Sequence, residues 1–304
     1  MRIPFLPACW LLTAAFCLQA PGARAGDPPP GKPAAAPPPS SPPVAALPER
    51  PGHDLVWHDE FDTDGAPDPK RWKPFIGISK PKSIVCFTSR AENLRVEKGS
   101  LILEARAGAF RNPRHNPRSK WPADLVESLD YTSARVQTDG LAESLHGRIE
   151  CRVKLPVARG THCALWTMGA DYAKVNWPRC GEIDILEHLG RDPATAWHVT
   201  HRAGDDGKDI SRSSAVKNSG LNDGQFHVLA VDWDADRIVW SIDGKETWRM
   251  PLDEATLKDG GNAFRRPHFL IMDLSLGGWG GDPDPASFPV RMEVDYVRVY
   301  RRRP

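Results

Sequence analysis

The stretch Trp177–Gly190 reads WPRCGEIDILEHLG, and the way its backbone is laid out decides the rest of the chain. Apolar and acidic residues alternate up to Asp184, the period of a half-buried strand in which positions i and i+2 share a face. Ile185 and Leu186 then stand in a row before Glu187. In a regular strand Glu187 would take the face opposite Glu182 and Asp184. One extra residue at Ile185–Leu186, a β-bulge, returns it to theirs. The spacing therefore predicts a bulged strand carrying Glu182, Asp184 and Glu187 on one face.

Working outward, short apolar-alternating runs recur: DLVWHDEF, LRVEKGSLILEAR, GRIECRVKLP, CALWTMG, AWHVTHR, HFLIMDLSLGG and MEVDYVRVYR. Gly, Pro, Asn and Asp interrupt them, and helical periodicity is nearly absent. DADR and DGK read as turns joining three consecutive strands over 227–250, and a short helix is expected around Leu252–Leu257. Many short strands in one large domain predict an all-β antiparallel sandwich or jelly roll.

The 304 residues carry 40 basic and 39 acidic side chains, a balance that points to neither nucleic acid nor an anionic membrane as partner. Residues 1–25, MRIPFLPACWLLTAAFCLQAPGARA, have the one early Arg, the short apolar run and the small-residue ending of a secretory signal peptide, with cleavage expected after Ala25. The apolar run is too short to span a bilayer. Residues 26–51 are rich in Pro and Ala and read as an extended tether. Residues 52–304 remain as the folded domain, in a protein expected to be secreted, periplasmic or held at the cell surface. Of six cysteines, Cys86, Cys151, Cys163 and Cys180 lie in it. Their spacing is not that of a zinc site, and buried thiols and one disulfide stand as equal readings.

Three carboxylates on one face suggest acid–base and nucleophilic work on a glycosidic bond. Glu182 and Glu187 would lie roughly 13 Å apart at Cα, four steps of ~3.3 Å. Leaning side chains can close that to the ~5–5.5 Å of a retaining glycosidase, where one carboxylate attacks and a protonated one donates. Asp184 beside Glu182 makes the set titrate as a coupled group. Spacing alone fits a solvated acidic strand as well.

The residues then resemble a known family. GEIDILE (Gly181–Glu187) is similar to the bulged E-x-D-x-x-E signature of glycoside hydrolase family 16. LVWHDEFD, ENLRVEKGSLILEAR, YTSARVQTDG, GRIECRVKLP, FHVLAVDWDADRIVWSIDGK and FPVRMEVDYVRVY resemble its other strands in order, over roughly residues 53–301. The resemblance implies a concanavalin-like β-jelly roll of two curved antiparallel sheets. It implies Glu182 as nucleophile, Asp184 as its assistant and Glu187 as acid/base, with β-1,3- or mixed β-1,3/1,4-glucan as substrate. It also implies no catalytic cofactor but a structural Ca²⁺ away from the chemistry, with Glu60, the Gly99 carbonyl and Asp295 as ligands.

The chain departs from the laminarinase-like branch in places. GTHCALW carries His162 and Cys163 where Trp and Pro are usual, His146 stands for Tyr, and Asp273 for Asn. Substrate-binding candidates are Trp166, Trp177 and Trp279, whose rings could stack on sugar faces, and His201, which could hydrogen-bond a hydroxyl or Asp184. Core packing is the rival reading for Trp166 and Trp177, a turn-rich connection for Trp279, and a structural role for His201. Arg148 reads equally as a carboxylate-orienting group or a surface ion pair. The expected protein is a monomeric endo-acting hydrolase of polysaccharide. A galactan-cleaving enzyme, a transglycosylase and a non-catalytic carbohydrate-binding protein are the alternatives.

Overall fold

The computed structural model describes residues 49–303. The signal peptide expected at 1–25 and the tether as far as residue 48 lie outside the described residues. Two sheets are built from runs far apart in sequence. The seven-stranded sheet runs Asp209–Val216, Ala196–Ala203, Glu182–Leu189, Thr161–Gly169, His268–Leu276, Arg135–Gln137, Lys73–Pro74, every pair antiparallel. The ten-stranded sheet is antiparallel too, apart from Val85–Phe87, which lies parallel to Ser128–Ser133. In it the first strand, His53–Asp59, pairs with the last, Val290–Arg302. This is the expected all-β jelly-roll sandwich.

Alternation along the strands sorts their side chains. Ile183, Ile185 and Leu186 are buried and join Leu229, Val231, Trp240 and Val297 of the other sheet in one core. Each such side chain contributes about 1.5–3 kcal/mol on leaving water. The three strands expected over 227–250 are His227–Trp233, Arg237–Ile242 and Lys245–Pro251. Asp243 and Gly244 join the last two with φ of 49° and 77°, the two left-handed residues of a type I′ turn. The helix expected around 252–257 is a single 3₁₀ turn, Leu252–Ala255, closed by Thr256 N–H donating to the Asp253 carbonyl. A four-residue α-helix, Tyr172–Val175, was not expected; its chain leads into the acidic strand. Cys86, Cys151, Cys163 and Cys180 are all buried free thiols, which decides between the two readings of the cysteines.

Candidate active site

The bulge is present where the spacing placed it. Asp184 pairs with Val199 and Glu187 with Trp197, so three steps on the acidic strand face two on its neighbour. On the other side Asp184 pairs with Trp166 and Leu186 with Leu165. A bulge frees backbone groups from the ladder, and buried ones need partners. Two ring nitrogens supply them. Trp240 Nε1, from the opposite sheet, donates to the Asp184 carbonyl at 2.9 Å. His198 Nδ1 lies 2.8 Å from the Ile185 carbonyl, and its Nε2 lies 2.9 Å from Thr247 Oγ1. Burial pushes His198 down to about 4, so at neutral pH the imidazole is uncharged, with Nδ1–H on the carbonyl and Nε2 accepting from Thr247.

Held this way, the strand turns all three acids to the face away from the core. Asp184 is buried, and Glu182 and Glu187 are half-buried on either side of it. Trp177 Nε1 donates to Glu182 Oε2 at 2.8 Å. Burial pushes the Glu182 carboxyl up; His201, the Trp177 N–H and Arg135 pull it down, while Glu187 adds to the push. Asp184 is pushed well above the ordinary carboxylate range, first by burial and then by the charges of Glu182 and Glu187. Its Oδ2 is buried without a partner among the described residues, a cost that holding a proton relieves. The acids therefore divide their work. Asp184 is the acid driven furthest towards keeping a proton, and Glu182, itself raised by burial, has around it the donors that favour its anion.

The expected binding residues fall into three groups. Trp177 and His201 sit together beside Glu182, rings 5.7 Å apart, and His201 is the register partner of Glu182. The partner of His201 is Asp209 (Nδ1 to Oδ2, 2.9 Å) rather than Asp184. Trp279 lies 5.2 Å from Trp197 and 5.8 Å from His162, at the Glu187 end. Trp166 is tied down, its Nε1 donating to Asp273 Oδ2 at 2.9 Å and its ring covered by the Arg135 guanidinium at 4.8 Å. One face of that indole is thus closed to a sugar.

Two expectations need correcting. Arg148 belongs to the ten-stranded sheet, where it is buried and binds Glu150 (2.8 Å) and Asp232 (2.5 Å); it orients no carboxylate of the site. The calcium set does not fit as placed. Arg298 holds both Glu60 oxygens at 2.9 and 2.7 Å, and Arg152 holds Asp295 Oδ2 at 2.7 Å. A cation at these carboxylates with the Gly99 carbonyl would have to displace two guanidinium groups. Among the described residues, the one group of three potential metal ligands is Glu182, Asp184 and His201, with ligand atoms within 4.8 Å of one another. Trp177 already donates to its first member, as suits an anion held by neutral hydrogen bonds.

Several contributors were not singled out as site residues from sequence. His162 Nε2 lies 2.9 Å from Glu187 Oε1. Arg135, Asp273 and Asp209 each touch or bias a residue of the site. Two sequence signals mark His162: alternation along Thr161–Gly169 puts it on one face with Trp166, and it stands where the resembled family usually has Trp.

Comparison with known proteins agrees with this geometry. The profile of "Glycosyl hydrolases family 16" matches residues 84–298. A beta-glucanase of Rhodothermus marinus is 36% identical over 263 residues, 83% of this chain and 86% of that protein. The laminarinase catalytic domain of Thermotoga maritima superposes with a TM-score of 0.69 at 35% identity, over 82% of this chain and 98% of that one. A structure tied to the endo-acting O-glycanases that human gut bacteria express to initiate mucin breakdown gives 0.78 at 34% identity, over 83% and 92%. A jelly roll with this bulged acidic strand and this profile match belongs to glycosyl hydrolases family 16, and the chain is a glycoside hydrolase.

Proposed function

We propose that the protein is an exported, monomeric, retaining endo-β-glucanase that cuts β-1,3- or mixed β-1,3/1,4-glucan by double displacement. The observation that carries the mechanism is the bulge, which sets Glu187 on the face of Glu182 and Asp184. The similarity to a beta-glucanase and a laminarinase supports the substrate. Export rests on the pattern of residues 1–25.

In the first step Glu182 attacks the anomeric carbon as the glycosidic C–O bond breaks, and the leaving oxygen takes the proton of Glu187. The Trp177 N–H and His201 favour the ionised form of Glu182 against its burial, and the protonated Asp184 keeps a second negative charge out of the site. In the second step Glu187, now a carboxylate, takes a proton from water, and the water oxygen displaces Glu182 from the sugar. Two inversions leave the β configuration intact.

The test separates the two glutamates. Glu182→Ala should lose turnover by several orders of magnitude on every substrate. Glu187→Ala should still release an acidic phenol from an activated aryl β-glycoside in a burst, then stall until azide yields a β-glycosyl azide. An α-azide would indicate inversion, and a burst from Glu182→Ala would mean the roles are reversed.

A second reading keeps the chemistry and changes the sugar to galactose-containing glycans, favoured by the similarity to mucin-degrading O-glycanases. Reducing-sugar release from laminarin, mixed-linkage glucan, agar, porphyran, carrageenan and mucin O-glycans decides between the two.

A further inference from the structure

Among the described residues, one side chain hydrogen-bonds to Glu187, and it is His162. It sits on the neighbouring strand, opposite Leu189 on one side and Ser275 on the other. Both partners are largely sheltered, each side chain 16% exposed. The imidazole is braced as well. It meets the Trp279 ring edge-on at 5.8 Å and 86°, and Trp279 rests on Trp197, the register partner of Glu187. A histidine held this firmly against one carboxyl oxygen leaves the other free for substrate.

We propose that His162 is a positioning residue that decides which oxygen of Glu187 carries the catalytic proton. The proposal rests on reading Glu187 as the acid/base. With a proton on His162 Nε2, that N–H donates to Glu187 Oε1, which can then only accept. The acid's own proton must reside on Oε2. As the glycosidic C–O bond breaks, the proton passes from Oε2 to the leaving oxygen. In the second half-reaction Oε2 takes a proton from water, while Oε1 keeps its bond to Nε2–H. His162 neither gains nor loses a proton, and its work is to keep Glu187 in one rotamer and one protonation geometry through both steps. The opposite tautomer would draw the Glu187 proton onto Nε2 and away from the sugar, so the donor on Nε2 is the productive one.

The test compares His162→Leu, which removes the donor, with His162→Gln, whose amide can still donate. Two substrates are used: laminarin, whose sugar leaving group needs a proton, and 2,4-dinitrophenyl β-laminaribioside, whose phenolate does not. His162→Leu should lose about 10- to 100-fold in kcat/KM on laminarin, the range for a hydrogen bond to an ionisable group. On the aryl glycoside kcat/KM should stay within about threefold, because it reports glycosylation alone, while kcat falls through slowed deglycosylation. His162→Gln should recover most of the laminarin activity. Equal losses of kcat/KM on both substrates, or no recovery with Gln in protein of unchanged melting temperature, would overturn the proposal. If Glu187→Ala still makes its burst and β-azide, such a result removes the role of His162 alone. If that control fails too, the reading of Glu187 has failed first.

Discussion

Replacing Trp177 by Phe keeps a flat ring at the mouth of the site and deletes one N–H, the donor 2.8 Å from Glu182 Oε2. A hydrogen bond to a charged acceptor contributes about 1.5–3 kcal/mol. Trp177 is 44% exposed, so water replaces part of the lost donor and the lower end applies, about 1.5 kcal/mol. At ~1.4 kcal/mol per decade this is about a tenfold loss in kcat/KM. The nucleophile serves every substrate, so the loss should be the same for laminarin and for an activated aryl glycoside. The pH profile should change too. The N–H holds the Glu182 carboxyl down against burial and against Glu187, so without it Glu182 ionises at higher pH. The acidic limb of kcat/KM should therefore move to higher pH. The assay is kcat/KM on both substrates from pH 4 to 8. A loss confined to KM with an unmoved acidic limb would show that Trp177 only stacks on sugar, and the reasoning would be refuted.

Asp184→Asn should lower activity and yet stabilise the fold at neutral pH. Because the folded-state pKa is raised, the folded protein binds more protons than the unfolded chain above the unfolded value of about 3.9, and wild-type stability falls as pH rises through that window. The variant escapes this, so its melting temperature should exceed wild type at pH 7 and the gap should close towards pH 4; a less stable variant at pH 7 contradicts the assignment. EDTA should change neither melting temperature nor activity, since Arg298 and Arg152 occupy the carboxylates expected to bind calcium; a calcium-dependent rise in melting temperature would show that those ion pairs open. A thiol reagent should label none of the four domain cysteines in the native protein and all four once it is denatured; fewer on denaturation without reductant would reveal a disulfide.

What could be read in the sequence was local. The bulge announces itself because two apolar residues interrupt a period of two, and the 227–250 meander because its turns carry Asp-Gly and Asp-rich punctuation. A helix at 252–257 shrinks to one 3₁₀ turn, where the Arg202 guanidinium reaches the Glu254 carbonyl. The illegible parts of the site depend on register between distant strands. His162 meets a carboxylate 25 positions away, and Trp166 is tied to an acid 107 positions away. No periodicity within one strand encodes which residue of another will lie opposite. The calcium residues show the converse limit: a ligand motif names Glu60 and Asp295 but does not mention the guanidinium groups that hold them.

The bond from Trp240 to the Asp184 carbonyl also sets an order of events in time. During synthesis the three acids emerge long before the indole 56 positions downstream that caps the freed carbonyl between them. Until that ring arrives, in a strand pair formed by the earlier segments only the His198 bond to the Ile185 carbonyl caps the bulged register against the regular one, which turns Glu187 over. Closing the sandwich adds the second of the two bonds that hold the acids on one face. A chain cut short of Trp240 would carry the whole catalytic signature and lack one of the two donors that keep it in register.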